Sequence, residues 1–167
     1  MRYRDNIGNS VSAGDLIFCL TGAHAKSIQT AKKLGIKKDD IFGDIFGDNP
    51  TVTLACGGTV YALNVVSLTA LGVQSDEICY DKIGLKGFDG LGHEIHIGDK
   101  ILFLHKMECD CEIGTAIKMT QKQCQMRIAE NRFHQTEYRQ NYPEIISLNA
   151  IKREDLIVVK YWPGEEK

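Results

Sequence analysis

The chain has 167 residues, 43% of them apolar and 25% charged, and a formal net charge of −2. That length suits one ordinary domain or two very small ones, and it buries enough surface to hold a core without staples. The balance excludes disorder as the main state, and it excludes a global attraction to nucleic acid or to an anionic membrane.

The first apolar run, Leu16 to Leu20, follows a polar lead-in over residues 1–13. It is shorter than the core of a signal peptide and far shorter than a membrane-spanning helix. The expectation is a soluble, cytoplasmic chain with no membrane partner. Its cysteines (Cys19, Cys56, Cys79, Cys109, Cys111 and Cys124) are expected to stay as reduced thiols, most of them packed as small hydrophobes.

Gly14-Asp15 introduces Leu16 to Leu20 as a first strand. Ala23, Ile28, Ala31 and Leu34 recur at helical spacing, Thr21 offers a cap and Gly35 a stop, so the spacing predicts a helix over 23–34. Asp40 to Asp48 repeats Asp-Ile-Phe-Gly twice, too few units for a repeat architecture. Thr51 to Cys56 and Thr59 to Val66 flank Gly57-Gly58 and predict a hairpin. A rival reading makes Thr59 to Leu71 a helix, but its Thr, Val and Tyr content favours strand.

Residues 81–99 are glycine-rich and predict loop, with a short strand at Glu94 to Ile97. Further strands are predicted at Lys100 to Met107, Glu112 to Met119, Cys124 to Ile128, Ile145 to Leu148 and Leu156 to Val159. This order of five short strands, opening on Gly98-Asp99 and closing after a charged turn at Lys152 to Asp155, resembles an SH3-like barrel. The resemblance covers residues 97–161 and rests on pattern. The predicted fold class is therefore α+β, mostly β. Residues 1–96 form an N-terminal strand-helix-hairpin region, and residues 97–167 form a small SH3-like β-barrel.

Five features bear on chemistry. His93, His96, His105, Cys109, Cys111 and Cys124 are residue types that zinc selects, and His105, Cys109, Cys111 and Cys124 form the candidate metal set. Their spacing is poor, because Cys109 and Cys111 on one strand stand about 7 Å apart. Cys56 would be an activated thiol only if Gly57-Gly58 opened a helix; in a hairpin it is an ordinary residue. Asp39, Asp40, Asp44 and Asp48 lack the ligand order of a calcium loop and read as a solvated acidic segment. Gly87 to Gly92 lacks the Lys-Ser/Thr ending of a phosphate loop and reads as a flexible loop.

Finally, residues 118–142 hold five cations, including Arg127, Arg132 and Arg139, against two carboxylates. Phe133, His134 and Tyr138 interleave with them, a composition suited to unpaired bases. No catalytic constellation emerges. The expectation is a non-enzymatic protein that binds a protein partner or small polar ligand through loops around the barrel, with Phe88, Arg127, Arg132, Phe133, His134, Tyr138 and Arg139 as contact candidates and no cofactor. A nucleic-acid module and a metal- or thiol-dependent enzyme are the alternatives.

Overall fold

The computed structural model describes residues 3–21, 27–38, 48–83, 85–104, 111–119, 123–128, 145–149 and 156–162. These described residues hold ten strands: β1 (Leu16–Cys19), β2 (Ile28–Lys38), β3 (Asp48–Leu54), β4 (Thr59–Tyr61), β5 (Val65–Ser67), β6 (Lys100–Leu104), β7 (Cys111–Met119), β8 (Gln123–Ile128), β9 (Ile145–Asn149) and β10 (Leu156–Val159). They make two antiparallel five-stranded sheets, ordered β4-β3-β2-β1-β5 and β10-β6-β7-β8-β9. Among the described residues there is no α-helix, only single 3-10 turns, and no helix long and apolar enough to cross a membrane.

The α+β expectation is therefore wrong, and the region predicted as a helix shows why. From Ile28 onward it is β2. A bulge between Ala31 and Lys33 adds one residue, so Ala31 faces Leu54 and Leu34 faces Val52. Three positions along β2 match two along β3, so Ala31 and Leu34, three apart as on a helix, share one strand face, while Ile28 packs on the other. Gly35, read as a stop, lies inside the strand. The β3–β4 hairpin forms, but its second strand ends at Tyr61 rather than Val66: Ala62–Asn64 is a 3-10 turn, the extent of helix in the rival region, and Val65–Ser67 pairs with β1 instead. The second sheet has its five strands where they were expected, but no pairing closes it into a barrel among the described residues.

The two sheets share one plan. In each, four strands form a meander and the fifth returns to pair with the first. The likeness extends to single hydrogen bonds. Asp5 Oδ1 accepts the amides of Ile7 and Asn9, and Oδ2 accepts that of Ser67 on β5. Asp89 Oδ1 accepts the amides of Leu91 and His93, and Oδ2 accepts that of Val158 on β10. Asp15 takes the Ser12 amide as Asp99 takes that of His96. Leucine and isoleucine fill the same place in the two loops, with Ile7 and Leu91 both buried.

The sequence carries this as a repeated Asp-x2-Gly-x5-Gly-Asp: Asp5, Gly8, Gly14, Asp15, then Asp89, Gly92, Gly98, Asp99. All four glycines have positive φ. The chain therefore contains two copies of one unit. The Asp89 loop, N-terminal to residue 97, is bonded to β10 and belongs structurally with the second copy. Neither Asp loop is a loose lead-in or a flexible loop: each buried carboxylate ties its loop to the unit's last strand. Burial outweighs the amide bonds and pushes the Asp5 carboxyl up to about 6; burial raises Asp89 as well.

Strand alternation divides the apolar side chains between three clusters. Ile17, Cys19, Ala31, Val52, Leu54 and Val65 fill the first unit. Ile101, Phe103, Ala116, Cys124, Met126 and Leu156 fill the second. The opposite faces pack against each other: Leu16, Phe18, Leu20, Val66 and Leu68 meet Leu102, Cys111, Ile113, Ile157 and Val159 in one buried core. Equivalent positions, such as Phe18 and Leu102 or Val66 and Ile157, supply both sides. Both units thus present the same face to the shared core, as the subunits of an isologous dimer do. The Leu71 carbonyl adds a seam by accepting the amides of Lys160 and Tyr161.

Candidate functional site at the junction of the two units

Where the units meet, a cleft of about 460 Å³ opens between β2, the β3–β4 hairpin, the linker after β5 and the Asp89 loop. The first unit supplies Leu16, Ile28, Gln29, Thr30 and Ala55. The linker supplies Ser75, Ile78, Tyr80 and Ile83, and the second unit supplies Gly90 and Leu91.

Each wall has a local cause. The Ile28–Thr30 wall comes from an incomplete pairing. β2 joins β1 from Ile28, but it joins β3 only from Ala31. Cys19 donates to the Ser27 carbonyl and Ala31 to that of Asp15, which fixes the alternation of bonds along the strand. Gln29 then bonds β1, while the peptide groups of Ile28 and Thr30 turn outward. The Thr30 carbonyl accepts the Ala55 amide at 2.9 Å, which brings the hairpin to the cleft edge.

The linker wall is tied to the Asp89 loop. Cys79 donates to the Leu91 carbonyl at 2.8 Å. The His93 ring reaches the Glu77 carbonyl at 2.6 Å, and its other nitrogen stands 3.8 Å from Asp89. Lys160 pairs with Glu77 at 2.7 Å. Two 3-10 turns, Ser75–Glu77 and Tyr80–Lys82, then present Ile78 and Tyr80. Tyr80 is 76% exposed, the most exposed large hydrophobic side chain among the described residues.

Among the described residues, those lining the cleft include no carboxylate, ammonium, guanidinium, imidazole or thiol. Their polar groups are the Gln29 amide and the hydroxyls of Thr30, Ser75 and Tyr80. Such a surface can remove apolar groups from water and hydrogen-bond neutral polar ones; it offers nothing to hold an isolated charge.

The residues singled out from sequence fall elsewhere, with one near exception. Phe88 is half-buried beside the Asp89 loop, opposite Glu94, with the Lys82 ammonium 5.3 Å from its ring centre. Arg127 is exposed on β8, between Thr115 and Ile145. Cys111 is buried in the core between the units, its sulfur 3.5 Å from Asn6 Oδ1, whereas Cys124 is buried inside the second unit. The structure does not bring those two thiols together. His105, Cys109, Arg132, Phe133, His134, Tyr138 and Arg139 lie outside the described residues, as do Asp39, Asp40 and Asp44. No group of three or more His, Cys, Asp or Glu suited to a metal occurs among the described residues. Cys56 is exposed at the hairpin turn, while burial pushes the Cys19 thiol up to about 11.

Sequence reasoning missed Gln29, Ile78, Ala55 and Tyr80 because nothing local marks them. The repeated aspartate motif was the usable signal: it defines two units, and a junction between units is where clefts form. No protein-family model matches the chain, and a search of curated proteins finds no match to it.

Proposed function

We propose that the chain is a non-enzymatic binding protein that takes an uncharged, extended segment of a partner protein into the cleft between its two units. The carrying observation is the cleft itself, lined from both units and the linker by neutral side chains, with the exposed ring of Tyr80 at its edge. Exposed aromatic side chains are enriched where proteins meet. The outward-turned peptide groups at Ile28 offer a short strand edge to which a partner backbone can bond, as in other strand-addition complexes.

The test is selection of a displayed peptide library on the intact protein, with affinities measured on variants. Tyr80→Ala removes the ring, and Ala55→Trp fills the cleft from its exposed edge. Selected peptides are expected to be poor in charge and to lose roughly 30-fold in affinity with Tyr80→Ala, the effect of an aromatic anchor covered on binding. Peptides that bind the wild type and both variants equally, or a selection that yields none, would contradict the proposal.

A further inference from the structure

We infer that the first unit carries a second, independent site, for single-stranded nucleic acid, on the Lys37–Tyr61 face of its sheet. A cavity of about 310 Å³ opens there and, among the described residues, shares none of its lining with the junction cleft. Lys37, Tyr61, Asn64 and the hydroxyls of Thr21, Thr51 and Thr59 line it.

The register assembles this face. Leu34 packs inward, so Lys33, Gly35 and Lys37 point the other way along β2. Thr51 lies opposite both Gly35 and Tyr61, and Thr53 lies opposite Thr59. Gly35 contributes no side chain, and a Cβ there would sit 3.2 Å from the Thr51 hydroxyl oxygen. The gap it leaves separates two exposed lysines about 13 Å apart on an extended strand.

Charge and shape select the occupant. The eleven residues of β2 hold four lysines and no carboxylate, in a chain that is −2 overall. Among the described residues, no acidic side chain lines the cavity. The Lys37 ammonium stands 5.9 Å from the centre of the Tyr61 ring, and that ring is 40% exposed. A cation beside an accessible aromatic face, with hydroxyl and amide groups around it, matches a strand that presents phosphate and an unstacked base together. The base stacks on Tyr61, the phosphates approach Lys37 and Lys33, and the hydroxyls and Asn64 take polar edges. An acidic peptide would satisfy the lysines but leave the ring unused.

Fluorescence anisotropy with labelled oligothymidylate and oligouridylate of about eight nucleotides tests this on the full chain. The wild type is expected to bind at about 20 mM salt and to weaken steeply by about 200 mM. Tyr61→Ala is expected to cost roughly tenfold at either salt concentration. Lys37→Gln and Lys33→Gln are each expected to weaken binding and reduce the salt slope by about one. Arg127→Ala, on the other sheet, is expected to change nothing. All four side chains are exposed, so the variants retain the fold, and circular dichroism checks this. The comparison of the two oligomers reports which sugar is preferred.

The inference is overturned if neither oligomer binds at low salt, if Tyr61→Ala binds as the wild type does, or if polyglutamate competes as well as an oligonucleotide. Because the two sites share no described residue, a failed peptide selection at the junction does not bear on this result, nor this result on that one.

Discussion

Asp5→Ala and Asp89→Ala are each expected to destabilise the protein by about 3 to 5 kcal/mol, and by similar amounts. Each carboxylate accepts three amides, two within its own loop and one from the last strand of its unit. Alanine leaves those amides without their acceptor in a buried place, at about 1 to 3 kcal/mol each. Relief of the desolvation that raises both carboxyl groups offsets part of that cost. Urea unfolding of the two single variants reads the result. The double variant would lose most of the 5–15 kcal/mol that holds an ordinary domain, and is expected not to fold. Two near-neutral single variants would refute the structural role given to the repeated aspartates.

Equivalent glycines in the two loops are expected to respond differently to alanine. Gly8 and Gly92 both have positive φ, at 88° and 76°. A Cβ at Gly8 meets nothing within 4 Å, so Gly8→Ala costs about 1 to 2 kcal/mol of backbone strain alone. At Gly92 the linker crosses directly above, and a Cβ would overlap the Cys79 carbonyl. That carbonyl is backbone and cannot swing aside, and its residue bonds Leu91 in the same loop. Gly92→Ala is therefore expected to cost at least about 3 kcal/mol and to displace the linker wall of the cleft. Peptides selected on the wild type should accordingly bind Gly92→Ala more weakly and Gly8→Ala unchanged. Equal losses of stability at the two positions would mean that the linker does not pack on the Asp89 loop as described.

Much of the second sheet was legible in the sequence, because each strand is a short apolar or alternating run bounded by polar residues. β6 and β10 are the clearest. The first sheet was harder at one point: the bulge at Ala31/Lys33 turned strand spacing into helix spacing, and no composition rule undoes that. The doubled architecture was also written in the chain, as Asp5-Gly8-Gly14-Asp15 and Asp89-Gly92-Gly98-Asp99. It is hard to see because these residues look like ordinary loop punctuation, and the more conspicuous repeat, Asp-Ile-Phe-Gly at residues 40–47, is a much shorter one. A buried aspartate in a glycine-rich segment carries no local mark that distinguishes it from a solvated one; only the strand arriving from Ser67 or Val158 makes it structural.

The cleft was not legible at all. Its walls come from β2, a hairpin tip, the linker and the second unit, brought together only by packing. The Lys37–Tyr61 face was hidden for a related reason. The two residues lie in separate segments of the chain, and the strand register alone puts them side by side. Sequence drew attention instead to the basic, aromatic stretch at 118–142, where the charges are neighbours along the chain.

Both proposed sites depend on the fold, and the junction cleft depends on the two units sharing one core. Pulsed thiol alkylation across a urea series, read residue by residue by mass spectrometry, tests that directly. Cys19 is buried inside the first unit, Cys124 inside the second, and Cys111 in the core between them. If the units are packed back to back as described, the three thiols become reactive together, at one urea midpoint. Separate midpoints for Cys19 and Cys124, with Cys111 reactive as soon as the weaker unit opens or in the absence of urea, would show two independent units and no common core, and would remove the cleft on which the proposed function rests.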